Sequence, residues 1–95
     1  MKVKFARTAI NHIASIHGYI ARDNPGAAKR VVAAIYRSTD RLAEFPASDR
    51  IGAKAETREL VVRQYPYIIV YRVLLDAVVV IAVFHAAQDE PRGGS

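Results

Sequence analysis

Tyr65-Pro66-Tyr67-Ile68-Ile69-Val70-Tyr71-Arg72-Val73 is the middle one of three strand-like runs that follow one another in the second half of the chain. The run before it contains Thr57-Arg58-Glu59-Leu60, and the run after it ends in Val80-Ile81-Ala82-Val83-Phe84-His85-Ala86-Ala87-Gln88. We expect strands at about residues 57–63, 67–74 and 78–84. Because the links between them are very short, they are predicted to pair as antiparallel hairpins and to form a three-stranded meander.

The first half of the chain begins with a strand pattern and changes to a helical one. Val3 and Phe5 alternate with lysines, which predicts a short strand with one buried face. From Arg7 to about Arg22 the period becomes helical. The residues at this spacing are Ile10, Ile13, Ile16, His17 and Ile20.

A second helix is predicted after a short break. Asn24 is a favourable N-cap, and Pro25 suits the first helical position because its missing N–H would have no helical partner there. Pro46 ends the helix, since the residue before a proline disfavours the helical region. The apolar stripe of this helix comprises Ala28, Val31, Ile35, Leu42 and Phe45.

The elements together predict one α+β domain over residues 1–95. The very short link between the helices requires an antiparallel helical hairpin, and the hairpin is expected to pack on the antiparallel sheet. The predicted order is β-α-α-β-β-β. Residues 47–56 are interpreted as an exposed loop, and residues 88–95 as a flexible tail.

Composition excludes several classes of protein. The 95 residues include no cysteine, which rules out disulfides and thiolate chemistry and is consistent with a reducing cytoplasm. No apolar run is long enough to cross a bilayer, so no membrane association is expected. The net charge of +5 favours acidic partners, although a charge of this size also serves solubility alone.

Metal, serine and phosphate-loop chemistry lack the residues they need. His12 and His17 are five positions apart and do not share a helix face, so no convergent zinc ligands are expected with His85. The serines lack a glycine-flanked elbow, and the glycines form no phosphate-binding loop. We expect neither a metal nor a cofactor.

The sheet carries the remaining candidates for chemistry. His85 would suit a general base at neutral pH, but a structural or interface role is favoured. Arg58 and Arg72 lie on adjacent strands and could clamp a phosphate or a carboxylate, or could equally pair with nearby acidic residues. Tyr65, Tyr67 and Tyr71 could stack on bases, although Tyr71 is interpreted as a core residue.

The second helix presents a basic outer face, either a solvated surface or a docking face for an acidic partner. Its arginines are Arg30, Arg37 and Arg41.

The ordered set of motifs resembles the RelE/ParE superfamily of small bacterial toxins from type II toxin–antitoxin modules, and the ParE, or plasmid-stabilisation, branch is the most similar. The likeness runs through Asp23-Asn24-Pro25, Phe45-Pro46, Thr57-Arg58-Glu59-Leu60, residues 66–73 and His85-Ala86-Ala87-Gln88. The resemblance implies a helical hairpin on an antiparallel sheet.

The resemblance also implies two alternative functions. RelE-type toxins cleave mRNA on the ribosome with basic residues on the sheet, whereas ParE-type toxins inhibit DNA gyrase and trap cleaved DNA. The basic positions of the RelE type fall here on an acid and three apolar residues, namely Glu59, Val61, Ile68 and Ala86.

An acidic residue and three apolar residues cannot stabilise charge on a reacting phosphate. Their presence at these four positions therefore favours a gyrase inhibitor that has no catalytic residues of its own. The alternative is an mRNA endoribonuclease that uses His85 with Arg58 and Arg72.

The expected partners are a ParD-like antitoxin, in a hetero-oligomer, and gyrase. We expect no sequence-specific DNA binding by this chain, since it has no evident recognition helix. The residues expected to contact the antitoxin or the target are Arg30, Arg37, Arg41, Arg58, Arg63, Tyr65, Arg72, His85 and Gln88.

Overall fold

A computed structural model describes residues 1–44, 50–51 and 57–87. Strand β1 (Lys2–Phe5) is followed by helix α1 (Arg7–Ala21), helix α2 (Pro25–Asp40) and a 3-10 turn (Arg41–Ala43). Four more strands follow: β2 (Arg50–Ile51), β3 (Arg58–Val61), β4 (Tyr67–Val73) and β5 (Ala77–His85). The predicted α+β fold, with a strand, a helical hairpin and an antiparallel meander, is confirmed.

The strands form one sheet in the order β1-β5-β4-β3-β2. The meander β3-β4-β5 is antiparallel, while β1 pairs in parallel with β5 and places Val3 opposite Val78. Strand β2 was not predicted, since Arg50 and Ile51 fall within the expected loop. Its two residues pair with β3. The rest of that loop and the expected tail at 88–95 lie outside the described residues.

Helix α1 packs Ile13, Ile16 and Ile20 into the core as predicted, but Ala9 replaces Ile10 in the buried stripe. Ala9 and Ile13 are buried, with Ile16 and Ile20 packed against the same cluster, whereas Ile10 is 50% exposed. His17 is also exposed. A stripe through positions 9, 13, 16 and 20 keeps to one side of the helix, and Ile10 lies about 100° away from Ala9 around the axis. The small Ala9 side chain lets the helix approach the sheet.

Helix α2 begins as predicted and ends earlier. The Asn24 side chain accepts a hydrogen bond from the Ala27 N–H at 3.0 Å, and Pro25 occupies the first turn. The α-helical part ends at Asp40, and the 3-10 turn carries Leu42 into the core with 1% exposure. The expected end at Phe45 lies outside the described residues.

The main core lies between the helices and one face of the sheet. It combines apolar residues of α1 and α2 with inward positions of β3, β4 and β5, and includes the fully buried Tyr71. Strand β5 contains a bulge, because Val70 pairs with Ala82 while Tyr71 pairs with Val80, which leaves Ile81 as the extra residue. A second cluster of Val70, Ala82 and Phe84 therefore forms on the other face.

Candidate functional site

A groove of about 680 Å³ opens between α1 and the second half of β5. Four residues of α1 at spacings of three and four line one wall, which places them on a single helix face. Tyr67, at the start of β4, and the end of β5 form the other wall. The lining residues are His12, Ser15, Ile16, Tyr19, Tyr67, Val83, Phe84 and His85.

The groove exists because β1 is shorter than β5. The last backbone contact on that edge is the Ala6 N–H, which donates to the Val80 carbonyl at 2.8 Å. Beyond it, the Val83 N–H donates to Nδ1 of His12 at 3.2 Å, so an imidazole satisfies the backbone where the neighbouring strand has ended. His12 is thus a structural residue of the groove, a role that its position in the sequence does not indicate.

His85 occupies the far end of the groove. It pairs with Tyr67 across the β4–β5 ladder, and the two rings meet edge to face with centroids 5.3 Å apart. Its Nδ1 accepts the Ala87 N–H at 3.0 Å. A neutral imidazole that accepts at Nδ1 carries its proton on Nε2. The Nδ1 atom of His85 is thus engaged by the backbone of the residue that follows the end of β5 by two positions.

The two tyrosines of the groove differ in their surroundings. Burial raises the pKa of the Tyr67 hydroxyl above its ordinary value of 10.0, and the nearby Tyr19 hydroxyl adds to the rise. Tyr19 itself is 73% exposed. The Tyr67 hydroxyl therefore stays protonated at physiological pH and remains a hydrogen-bond donor. The described lining of the groove contains no carboxylate.

The structure does not bring Arg58, Arg72 and His85 into one constellation. Arg58 pairs with Tyr71 and so shares the helix-covered face, while Arg72 alternates onto the opposite face. His85 shares the face of Arg58 but pairs with Tyr67, four residues along β4. Strand geometry separates the backbones of Arg58 and His85 by about 13 Å along the strands and about 10 Å across them.

A second, smaller groove of about 220 Å³ joins α2 to the end of β3. It brings together Arg37 and Arg63, two of the expected contact residues, with Gln64 beside them. Arg30 and Arg41 are exposed elsewhere on the helical layer. Tyr65 is half-buried against the main core, and Gln88 lies outside the described residues.

The sheet face away from the helices carries the positions at which the RelE type has basic residues. Glu59 pairs with Val70, and Val61 pairs with Ile68, so these side chains lie next to the apolar cluster on that face. Val61 is 51% exposed. Glu59, Val61 and Ile68 therefore give this part of the face an apolar and acidic surface.

Neither a metal cluster nor a membrane-spanning helix is present among the described residues. Residues 1–44, 50–51 and 57–87 contain no cluster of three or more histidine, cysteine or acidic side chains suited to a metal ion. Within the same ranges, neither helix combines the length and the apolar character that a bilayer span requires.

Solved structures share this fold over nearly their whole length. The chromosomal ParDE toxin–antitoxin system from P. aeruginosa matches with a TM-score of 0.79 at 19% identity, covering 90% of this chain and 95% of that chain. The isolated RelE toxin of E. coli matches with a TM-score of 0.64 at 18% identity, covering 94% of this chain and 87% of that chain. Both likenesses concern the fold.

Sequence similarity then gives the family. The family model described as the ParE toxin of type II toxin-antitoxin system, parDE, matches residues 3–90. A protein of Sinorhizobium fredii (strain NBRC 101917 / NGR234) named "Putative toxin Y4kP" is 44% identical over 91 residues, which cover 96% of this chain and 94% of that protein. The chain therefore belongs to the ParE toxin family of type II toxin–antitoxin systems.

Proposed function

We propose that this chain is the toxin of a toxin–antitoxin pair and that it inhibits DNA gyrase by protein–protein contact. The observation that carries the proposal is the match to the ParE family over residues 3–90, nearly the whole chain. Inhibition by contact requires an exposed surface and no reacting groups. This requirement is consistent with a sheet whose outer face is apolar and acidic at Glu59, Val61 and Ile68.

Charge supports a docking role for the helical layer. The chain has a net charge of +5, and Arg37 and Arg63 line one groove beside α2. Guanidinium groups favour bidentate pairing with carboxylates. We therefore assign this groove to acidic side chains of the cognate antitoxin, whose C-terminal segment would fold as it binds. Association of the pair should slow as salt is added, since salt screens the attraction.

The experiment is a titration of the purified chain, freed of antitoxin, into a gyrase supercoiling and DNA-cleavage assay. We expect loss of supercoiling together with accumulation of cleaved DNA, both prevented by prior addition of the antitoxin. An inhibitor already known to act on the same gyrase preparation is the positive control. Undiminished supercoiling at a large excess of the chain, while the control inhibits, would contradict the proposal.

A ribosome-dependent mRNA endoribonuclease is the second candidate. The observation that favours it is the proximity of His85 and Tyr67 at the end of the sheet, with ring centroids 5.3 Å apart. Against it stands the placement of Arg58 and Arg72 on opposite faces of the sheet. If His85 were a general base, His85→Ala would lower mRNA cleavage in translating ribosomes by about 10²–10⁴-fold.

A further inference from the structure

The His12 side chain joins the middle of α1 to the edge of β5. Its Nδ1 accepts the Val83 N–H at 3.2 Å, a contact between residues 71 positions apart in the chain. From this contact we infer that His12 is an acid-sensitive latch. While its imidazole is neutral it holds α1 on the edge of the sheet, and protonation of the imidazole releases that part of the helix. The inference does not depend on the proposed contact with gyrase.

The hydrogen bond requires the neutral form of His12. In a neutral imidazole one ring nitrogen carries the proton and the other accepts, so a ring that accepts at Nδ1 is protonated at Nε2. A second proton is taken up at Nδ1, the atom that faces the Val83 N–H. Both ring nitrogens are then donors, and two N–H groups point at each other. Protonation therefore replaces the attraction at this position by a repulsion.

The place of the bond makes its loss costly. Pairing of β1 with β5 ends at Phe5 and Val80, and the Ala6 N–H donates to the Val80 carbonyl at 2.8 Å. Val83 lies three residues further along β5, is 2% exposed and belongs to the main core. A buried N–H that loses its acceptor still bears the cost of having left water. That cost is relieved when water reaches the N–H, which requires α1 to move away from β5 at this point.

The groove gives the latch access to solvent and room to open. His12 is half-buried and lines the groove of about 680 Å³ between α1 and β5. Protons therefore reach the imidazole without unfolding of the core. Ala9 and Ile13, on the same helix, belong to the main core. We therefore expect a local movement of α1 and not the loss of the fold.

Other titratable side chains share the groove with His12. Among the described residues they are Tyr19 from its own helix, Tyr67 from β4 and His85 from β5. The described lining includes no lysine, arginine or carboxylate, and no residue of α2 or β1. Tyrosine hydroxyls ordinarily ionise near pH ~10, and burial raises the pKa of Tyr67 further. Of these groups, His85 is therefore the one whose charge can also change between about pH 5 and about pH 8.

The direction of the pH dependence follows from the bond. In the unfolded chain His12 takes up a proton without losing a partner, whereas in the folded chain protonation breaks the contact with Val83. The unfolded and open forms therefore bind the proton more readily, and acid favours them. The latch is closed above the range in which histidines titrate, ordinarily near pH ~6.5, and opens as the pH falls through that range.

The test is amide hydrogen exchange of the full chain, freed of antitoxin, followed by NMR and corrected for the intrinsic exchange rate at each pH. We expect the protection of the Val83 N–H to fall by about 5–100-fold between about pH 8 and about pH 5. The Ala6 N–H is the matched reference, because it lies on the same edge of β5 and donates to a backbone carbonyl, which does not titrate. Its protection should change by less than about 3-fold.

Substitutions separate the histidines. His12→Asn places an amide oxygen near the position of Nδ1, which accepts the Val83 N–H at every pH and should remove the pH dependence of its protection. His12→Ala removes the acceptor and should leave the protection low at both pH values. His85→Asn and His17→Asn are the controls, because His85 titrates in the same groove and His17 is exposed on the same helix. Both controls should retain the pH dependence of the wild type.

Protection of the Val83 N–H that does not change with pH in the wild type would overturn the inference. The same holds if His12→Asn keeps the pH dependence of the wild type, or if His85→Asn abolishes it. An equal fall for the Val83 and Ala6 N–H groups would indicate general destabilisation by acid and would also contradict the latch. Circular dichroism verifies that each variant is folded, and the comparison of Val83 with Ala6 needs no substitution.

Discussion

The two faces of the sheet are built from the same strands but have different surroundings. The face under the helices holds the fully buried Tyr71 and Ile69 together with residues of both helices. The opposite face has a small apolar cluster around Val70 and Phe84, next to the half-exposed Val61. The comparison indicates that the covered face carries most of the folding energy, while Glu59, Val61 and Ile68 give part of the opposite face an apolar and acidic surface.

The largest effect is expected on the covered face. Ile13→Ala should lower the free energy of unfolding by about 2–5 kcal/mol, because Ile13 is 5% exposed and its loss leaves a cavity against the sheet. Ile10→Ala, on the same helix but 50% exposed, should cost less than about 1 kcal/mol. Urea denaturation measures both. Equal losses would mean that Ile10 is buried in the core, as the sequence pattern indicated, and not half-exposed as the structure shows.

The fold was largely predictable from the sequence because its signals are local. Short links required hairpins between the meander strands, and Asn24 and Pro25 marked the start of α2. Pairing partners distant in sequence were not predictable. The two-residue period identified β1 as a strand but carried no information that it would pair in parallel with β5.

The site was less predictable than the fold because it depends on contacts between residues that are distant in sequence. The role of His12 depends on β1 ending at Phe5 and leaving the Val83 N–H without a strand partner, a contact between residues 71 positions apart. The burial of Ala9 in place of Ile10 depends on the close approach of α1 to the sheet, which hydrophobicity alone does not indicate. The bulge at Ile81 determines which β5 residues face the groove. No glycine or proline near Ile81 marks the bulge in the sequence.

A smaller effect is expected on the opposite face. Val70→Ala should cost about 1–3 kcal/mol, because Val70 is 3% exposed and packs against Phe84 and Ala82. Val61→Ala on the same face should cost less than about 1 kcal/mol, since Val61 is 51% exposed. The measurement is the shift in the urea midpoint at constant slope. A Val70 variant as stable as the Val61 variant would show that this cluster adds nothing to the fold.

The smallest effect concerns the groove at the edge of the covered face. Burial raises the pKa of Tyr67 above 10.0, so above that pH the unfolded chain loses this proton more readily than the folded chain. The stabilisation by Tyr67 is therefore complete below pH 10 and declines as pH rises further. The free energy of unfolding of Tyr67→Phe should fall less between pH 9 and pH 11 than that of the wild type. The difference in stability between the two proteins at pH 7 is the reference. Parallel curves would contradict a raised pKa of the half-buried Tyr67.

The most direct test of action by contact is the stoichiometry of gyrase inhibition. Gyrase at a fixed concentration well above the dissociation constant is titrated with the antitoxin-free chain, and supercoiling is measured after short and long preincubation. The account predicts inhibition that saturates near one chain per binding site and does not deepen with time. Inhibition by far less than equimolar chain that progresses with time would indicate turnover and contradict the account, as would the absence of inhibition at equimolar chain.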